Sequence, residues 1–170
     1  MSDERMELFI GSKWQSTYKK KFAPFLQDPA FVPTWNWSAA LATPYWFLYR
    51  KLYLPFVLFL FAPGIAARLS LGGDNVPAVN TLAQPQMEET TIISAAFILS
   101  AMIAAGGTAN WLLFRRARAA TRFVALQQLP EPEARVMLGR LGGVHRGPTI
   151  LLVVLALAVA ISQILGQQPA

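Results

Sequence analysis

Two runs of this chain carry no charge at all: residues 91–114 and residues 149–165. A helix rises about 1.5 Å per residue, so the first run would reach about 36 Å against a bilayer hydrocarbon core of about 30 Å. It spans with some tilt. The second, at seventeen residues, sits at the lower limit for crossing. Residues 52–67 form a third uncharged run. It becomes long enough when Lys51 and Arg68 snorkel from its two ends. Pro55 lies near its start, where a missing N–H costs little, and Pro63-Gly64 should kink or end the helix on the far side. Charged residues make up only 14% of the 170 residues, against about 25% in an ordinary soluble domain. The fold class expected is therefore an all-α membrane protein with three transmembrane helices, joined by short cytoplasmic helices and one interfacial or re-entrant aromatic helix.

The aromatic piece is read from Trp35-Asn36-Trp37-Ser38-Ala39-Ala40 and Pro44-Tyr45-Trp46-Phe47-Leu48-Tyr49-Arg50-Lys51-Leu52-Tyr53. It holds three Trp and three Tyr. Rings with an apolar body and a polar tip collect where a membrane meets water. Residues 37–49 would reach only about 20 Å as a helix, and Pro44 divides them. The membrane-interface or docking residues expected are Trp35, Trp37, Trp46, Tyr49, Arg50, Lys51 and Tyr53. Trp111, Arg115 and Arg116 mark the end of the 91–114 run.

The division of the chain follows. Residues 1–34 form an N-terminal segment in which Phe22, Phe25 and Leu26 suggest a short helix stopped by Pro29 and Pro33. Residues 35–50 are the interfacial helix, 51–71 the first span and 72–90 a loop containing Gly72, Gly73, Asp74, Pro77 and Pro85. Residues 91–114 are the second span. Residues 115–148 are a basic segment in which the helix runs on to about Leu129 and a second helix covers Pro132 to Leu141. Glu133 suits the positive end of that second helix, and Gly142-Gly143 close it. Residues 149–165 are the third span and 166–170 a tail.

Charge sets the orientation. Residues 1–51 carry seven Lys and Arg against four acids, residues 68–90 one against three, and residues 115–147 seven against two. Basic residues near span ends stay in the cytoplasm. The N-terminus and the 115–148 segment are thus expected inside, and the 72–90 loop and the C-terminus outside. Residues 1–21 lack the apolar core of a cleaved signal peptide. The basic residues flank spans rather than build a face for phosphodiester backbones, so nucleic acid is not an expected partner.

The residues from Trp35 to Tyr53 resemble the signature of a bacterial family of small integral membrane proteins catalogued only as a domain of unknown function. Its pattern runs Ser-Trp-Asn-Trp-Ala-Ala, then Gly-Pro-x-Trp and a closing Tyr-Arg-Lys-x-Tyr. It is preceded here by Phe9-Ile10-Gly11, Tyr18, Phe22 and Phe25. Thr34 and Thr43 stand where that family often has Ser and Gly. The likeness covers about residues 9–67. It implies a bacterial inner-membrane protein with a cytoplasmic N-terminal module, and brings no activity with it.

The functional residues available are few. The chain has no cysteine and one histidine, which excludes thiolate chemistry and a multi-histidine metal site within one chain. His145 reads as a loop residue, Asp74 as a turn residue, and Glu131 and Glu133 as helix-start residues. Asn36-Trp37-Ser38 fits the glycosylation pattern but should stay unmodified on a cytoplasmic face. Asn110 and Gln163 read as interhelical hydrogen-bonding residues. The second and third spans hold no ionisable residue, where coupled transporters place them. Ala96, Ser100, Ala104 and Thr108 recur every fourth residue, as do Ala156 and Ala160; such stripes let helices approach closely, within the chain or against a partner. No catalytic, cofactor or metal-binding residue is therefore assigned. The expectation is a non-catalytic accessory or scaffolding subunit packed against other integral membrane proteins, with a respiratory or photosynthetic complex as one possible host. The competing expectation is a self-assembling module whose Lys19–Lys21 and Arg115–Arg122 bind anionic lipids; a small transporter or membrane enzyme ranks below both.

Overall fold

A computed structural model describes residues 3–28, 30–70 and 87–166. Among them the secondary structure is helical throughout, with no strand. Helix α1, Asp3–Ile10, opens with Asp3 and Glu4 at its positive end. It buries Met6, Phe9 and Ile10, three positions on one helical face. Gly11, at φ +83°, ends it, in the left-handed conformation that glycine adopts without steric cost. A π-helical turn over Trp14–Tyr18 leads into α2, Lys19–Gln27. Trp14, Tyr18, Phe22 and Phe25 are buried. Lys19 and Lys20 are exposed on the other side, and Lys19 pairs with Asp3. The chain then turns extended at Asp28, as expected for a residue ahead of a proline.

The aromatic stretch forms two short helices rather than one. Helices α3, Trp37–Leu41, and α4, Tyr45–Tyr49, are separated at the cis Thr43–Pro44 bond. Asn36 caps α3, its side chain accepting from the Ala39 N–H at 3.2 Å. Helix α5, Tyr53–Ser70, starts two residues later than the expected span and runs through Pro63. Of the kink or end expected at Pro63-Gly64, the end does not occur. Apolar helices tolerate an internal proline where neighbouring groups satisfy the freed carbonyl.

Helix α6, Met87–Leu126, is the axis of the molecule. Its forty residues extend about 60 Å, twice a hydrocarbon core. The uncharged 91–114 run is thus one part of a continuous helix, which stops three residues short of Leu129. Helix α7, Glu131–Leu141, has Pro132 in its first turn and Gly142 at its end. Helix α8, Arg146–Gly166, contains the uncharged run 149–165. The rest of the expected 72–90 loop, including Asp74, lies outside the described residues, as do the tail 167–170 and the side chains of Ala160 and Gln163.

The core lies at one end. The C-terminal half of α6 buries Ala105, Ala109, Leu113, Ala117, Thr121 and Val124, spaced by four and then three. Helices α1, α2, α3 and α7 all pack on α6. Phe22 is the hub: its ring meets Trp14, Tyr18 and Phe114 edge-on at 5.6–5.8 Å, a favoured aromatic geometry. Residues 3–50, the second half of α6 and α7 thus make a packed head. Helix α5 packs on α6 and is tied to the head by Phe47 stacked on Phe59 at 4.9 Å. Two helical stretches, Thr91–Leu126 in α6 and Glu131–Val159 from α7 into α8, are long and apolar enough to cross a membrane, and only 17% and 6% of their most apolar windows is buried. A core helix of a soluble protein would be mostly covered.

Candidate functional site

Three cations and two helix C-termini meet where α5 and α8 leave the head. The Arg116 guanidinium donates to the Leu141 carbonyl at 3.1 Å and to the Arg50 carbonyl at 3.3 Å. Lys51, at φ +59°, donates from Nζ to the Arg140 and Gly142 carbonyls at 2.8 and 2.6 Å. Arg50 is 6% exposed; it donates to the Ile10 carbonyl at 3.3 Å and lies over the Tyr18 ring at 4.8 Å. No carboxylate among the described residues pairs with any of the three. Their counter-charge is the negative ends of α1 and α7, whose last carbonyls lack intrahelical partners. Burial lowers the Arg116 pKa below its ordinary value, with the nearby Tyr53 acting the other way.

The same junction depends on a close backbone approach. Gly143 N–H donates to the Phe9 carbonyl at 2.8 Å. A Cβ at Gly142 would overlap that carbonyl and come within 2.7 Å of Phe9 Cα. On the other side of α4, His145 N–H donates to the Tyr49 carbonyl at 2.8 Å, and Tyr53 Oη and His145 Nδ1 lie 3.1 Å apart.

A second polar centre pins the 34–36 segment to α6. Asn110 is fully buried. Its Nδ2 donates to the Thr34 carbonyl and hydroxyl at 3.1 and 3.0 Å, and its Oδ1 accepts from Asn36 Nδ2 at 2.9 Å. The Asn36 N–H donates to the Gly106 carbonyl at 2.9 Å. Gly106 makes the approach possible: a Cβ there would lie 2.9 Å from the Trp35 ring and 3.0 Å from Ala40 Cβ. Every polar atom of the two Asn side chains has a partner, as buried polar groups require. The Asn36 amide is thus spent inside the protein.

The residues expected at an interface divide into two groups. Trp35 and Trp37 are exposed and meet edge-on at 5.3 Å; Tyr53 is exposed. Trp111 is half-buried between Phe31 and the Arg115 guanidinium, which lies 4.8 Å over its ring. Trp46 and Arg50 are buried inside the head, and Tyr49 and Arg116 are half-buried there. In the small-residue stripe, Ala96, Ser100 and Ala104 are exposed and Thr108 half-buried. The Ser100 and Thr108 hydroxyls bond back to the carbonyls of Ala96 and Ala104. The face that packs lies one residue on, at Ala105, Ala109 and Leu113. Ala156 is exposed on α8.

Sequence reasoning missed Thr34, Asn36 and Gly106 as structural residues, and gave Gly142 the closing of α7 but not the close approach to Phe9. Asn36 was hidden by its glycosylation pattern. The Gly106-Gly107 and Gly142-Gly143 pairs were the signals for close approach. Among the described residues no group of three or more His, Cys, Asp or Glu is placed to hold a metal ion. Comparison with protein-family models, curated proteins and solved structures finds no match.

Proposed function

We propose that the protein is a non-catalytic accessory subunit of a membrane protein complex. Helices α5, α6 and α8 cross the membrane, the head faces the cytoplasm and the C-terminus lies outside. The same reading makes it a bacterial inner-membrane protein of the family that its Trp35–Tyr53 signature resembles. The observation that carries the proposal is the bare surface of α8. Ile150, Leu151, Val154, Leu155, Leu157 and Ile161 are each more than half exposed. Helix α8 packs on α4 near its start and is nearly uncovered beyond. So large an apolar surface is not stable in water. In a bilayer it is solvated, and it remains free to pack against another apolar helix. The exposed small residues Ala96, Ser100 and Ala104 give α6 a second face of that kind. All seven basic residues of 1–51 and all seven of 115–147 fall in or beside the head, at the end where positive charge is retained.

Photo-crosslinking in the native membrane tests this. A photoreactive residue at Leu155 of α8 is expected to give one discrete protein adduct, shared with a probe at Leu58 on the exposed face of α5. A probe at Val136, exposed on α7, is expected to give none. Adducts to lipid alone at Leu155 and Leu58 would overturn the subunit reading.

A further inference from the structure

A cavity of about 410 Å³ opens on the side of the head. Helix α6 supplies Phe114, Arg118, Thr121, Arg122 and Ala125, spaced as one stripe; α1 adds Arg5, and α2 adds Phe25 and Leu26. The lining carries three guanidinium groups and no carboxylate. The two ion pairs among the described residues, Lys19–Asp3 and Arg135–Glu4, do not use them. Arg5 also faces a smaller neighbouring hollow, which Glu131 and Arg135 help line, without pairing to Glu131. Three unpaired guanidinium forks around one opening form an arrangement suited to a phosphate, which each can grip through two parallel N–H bonds.

The other half of the lining is apolar. Phe25 and Phe114 are fully buried beneath the cavity, their rings 5.3 Å apart, and Leu26 is 44% exposed at its edge. The apolar surface left open is that of Leu26, backed by the two rings; a free phosphate has no use for it, whereas a phosphate ester with a hydrocarbon tail does. Depth points the same way. Arg118 and Arg122 lie four and eight residues beyond Phe114, the last uncharged position of the run, hence about 6 and 12 Å further along α6. The lipid headgroup layer is about 5–8 Å thick on each side of the hydrocarbon core, so Arg118 falls within it, while Arg122 starts beyond it and reaches it only through a long side chain that leans back toward the α6 N-terminus.

We infer that Arg5, Arg118 and Arg122, above Phe25, Leu26 and Phe114, form a binding site for the phosphate of an anionic phospholipid of the cytoplasmic leaflet. The inference rests on the membrane placement proposed above. It does not need the partner complex.

The test is native mass spectrometry of the full chain in detergent, titrated with dioleoyl phosphatidic acid, with dioleoyl phosphatidylcholine and with inorganic phosphate. One phosphatidic acid is expected to bind at least tenfold more tightly than phosphatidylcholine. R118Q/R122Q should lose that preference, R118K/R122K should keep part of it as point charges, and R135Q, whose arginine pairs with Glu4, should keep it all. Equal binding by the wild type and R118Q/R122Q, both with unchanged circular dichroism, would overturn the site. Displacement of the lipid by inorganic phosphate at equal concentration would overturn the lipid assignment. Carbonate extraction of the same proteins separates the two readings. A chain that washes off the membrane contradicts both; one that stays embedded but shows no lipid preference contradicts this site alone.

Discussion

Replacing Gly142 by valine is expected to open the head. The new Cβ would occupy the position of the Phe9 carbonyl, which is backbone and has no rotamer through which to withdraw. The C-termini of α1 and α7 must then separate. That breaks the Gly143–Phe9 hydrogen bond and removes the Gly142 carbonyl from Lys51 Nζ. Overpacking against backbone, with the loss of two such bonds, should cost about 3 kcal/mol or more. Thermal or chemical unfolding in detergent would read it, and cleavage of the 1–50 segment by protease should accelerate. Gly139→Ala is the matched control. Its Cβ would meet nothing nearer than the Leu8 carbonyl at 4.0 Å, and alanine favours the α7 helix by about 0.5–1 kcal/mol, so G139A should be neutral or slightly stabilising. Equal loss from both substitutions would show that Gly142 is needed for the helix end and not for close approach.

Asn110→Leu is expected to cost about 3 kcal/mol, close to the upper end for stranding buried polar groups. Leucine shares the branched side-chain skeleton of asparagine, with bulkier ends, but leaves Asn36 Nδ2 and the Thr34 carbonyl without partners in a dry site. The damage should be local: the 34–36 segment releases from α6, and Trp35, which rests against Gly106, becomes more mobile and more readily quenched. A double-mutant cycle with Asn36→Leu should show coupling of about 1 kcal/mol, because the second change removes one of the stranded donors. Additive losses would mean that the two asparagines act separately. The knot ties the segment that carries Trp35 and Trp37 to the middle of α6, so its loss should also disturb the placement of those two rings.

Much of the architecture was legible because it follows from charge and proline. The uncharged runs 91–114 and 149–165 lie inside α6 and α8. Pro44 divides the aromatic stretch, and Pro132 with Gly142 frames α7. The head was not legible. A ring with an apolar body and a polar tip suits a membrane boundary and a core next to that boundary equally well, so Trp46 and Trp37 look alike in sequence. One is 6% exposed and the other 67%. Arg50 and Lys51 likewise read as surface charges, because the helix ends that neutralise them, at Ile10, Arg140 and Gly142, are brought there only by tertiary folding. The line of α6 that packs within the chain lies one position from the small-residue stripe. Ala96-Ser100-Ala104-Thr108 and Ala105-Ala109-Leu113 lie on adjacent lines of one Ala-rich helix, and composition does not choose between them. Asn110 was marked as a hydrogen-bonding residue, but its partner 74 positions away could not be named from spacing.

In the proposed topology the head, built from residues 3–50, the second half of α6 and α7, lies in the cytoplasm while α8 carries the chain out. The natural absence of cysteine allows a direct measurement with single cysteines at Ser16, Arg135 and Gln168 and a membrane-impermeant maleimide on intact cells. Gln168→Cys is expected to label in intact cells, and Ser16→Cys and Arg135→Cys only after the membrane is permeabilised. Labelling of Ser16→Cys from outside, or protection of all three positions until permeabilisation, would contradict that topology.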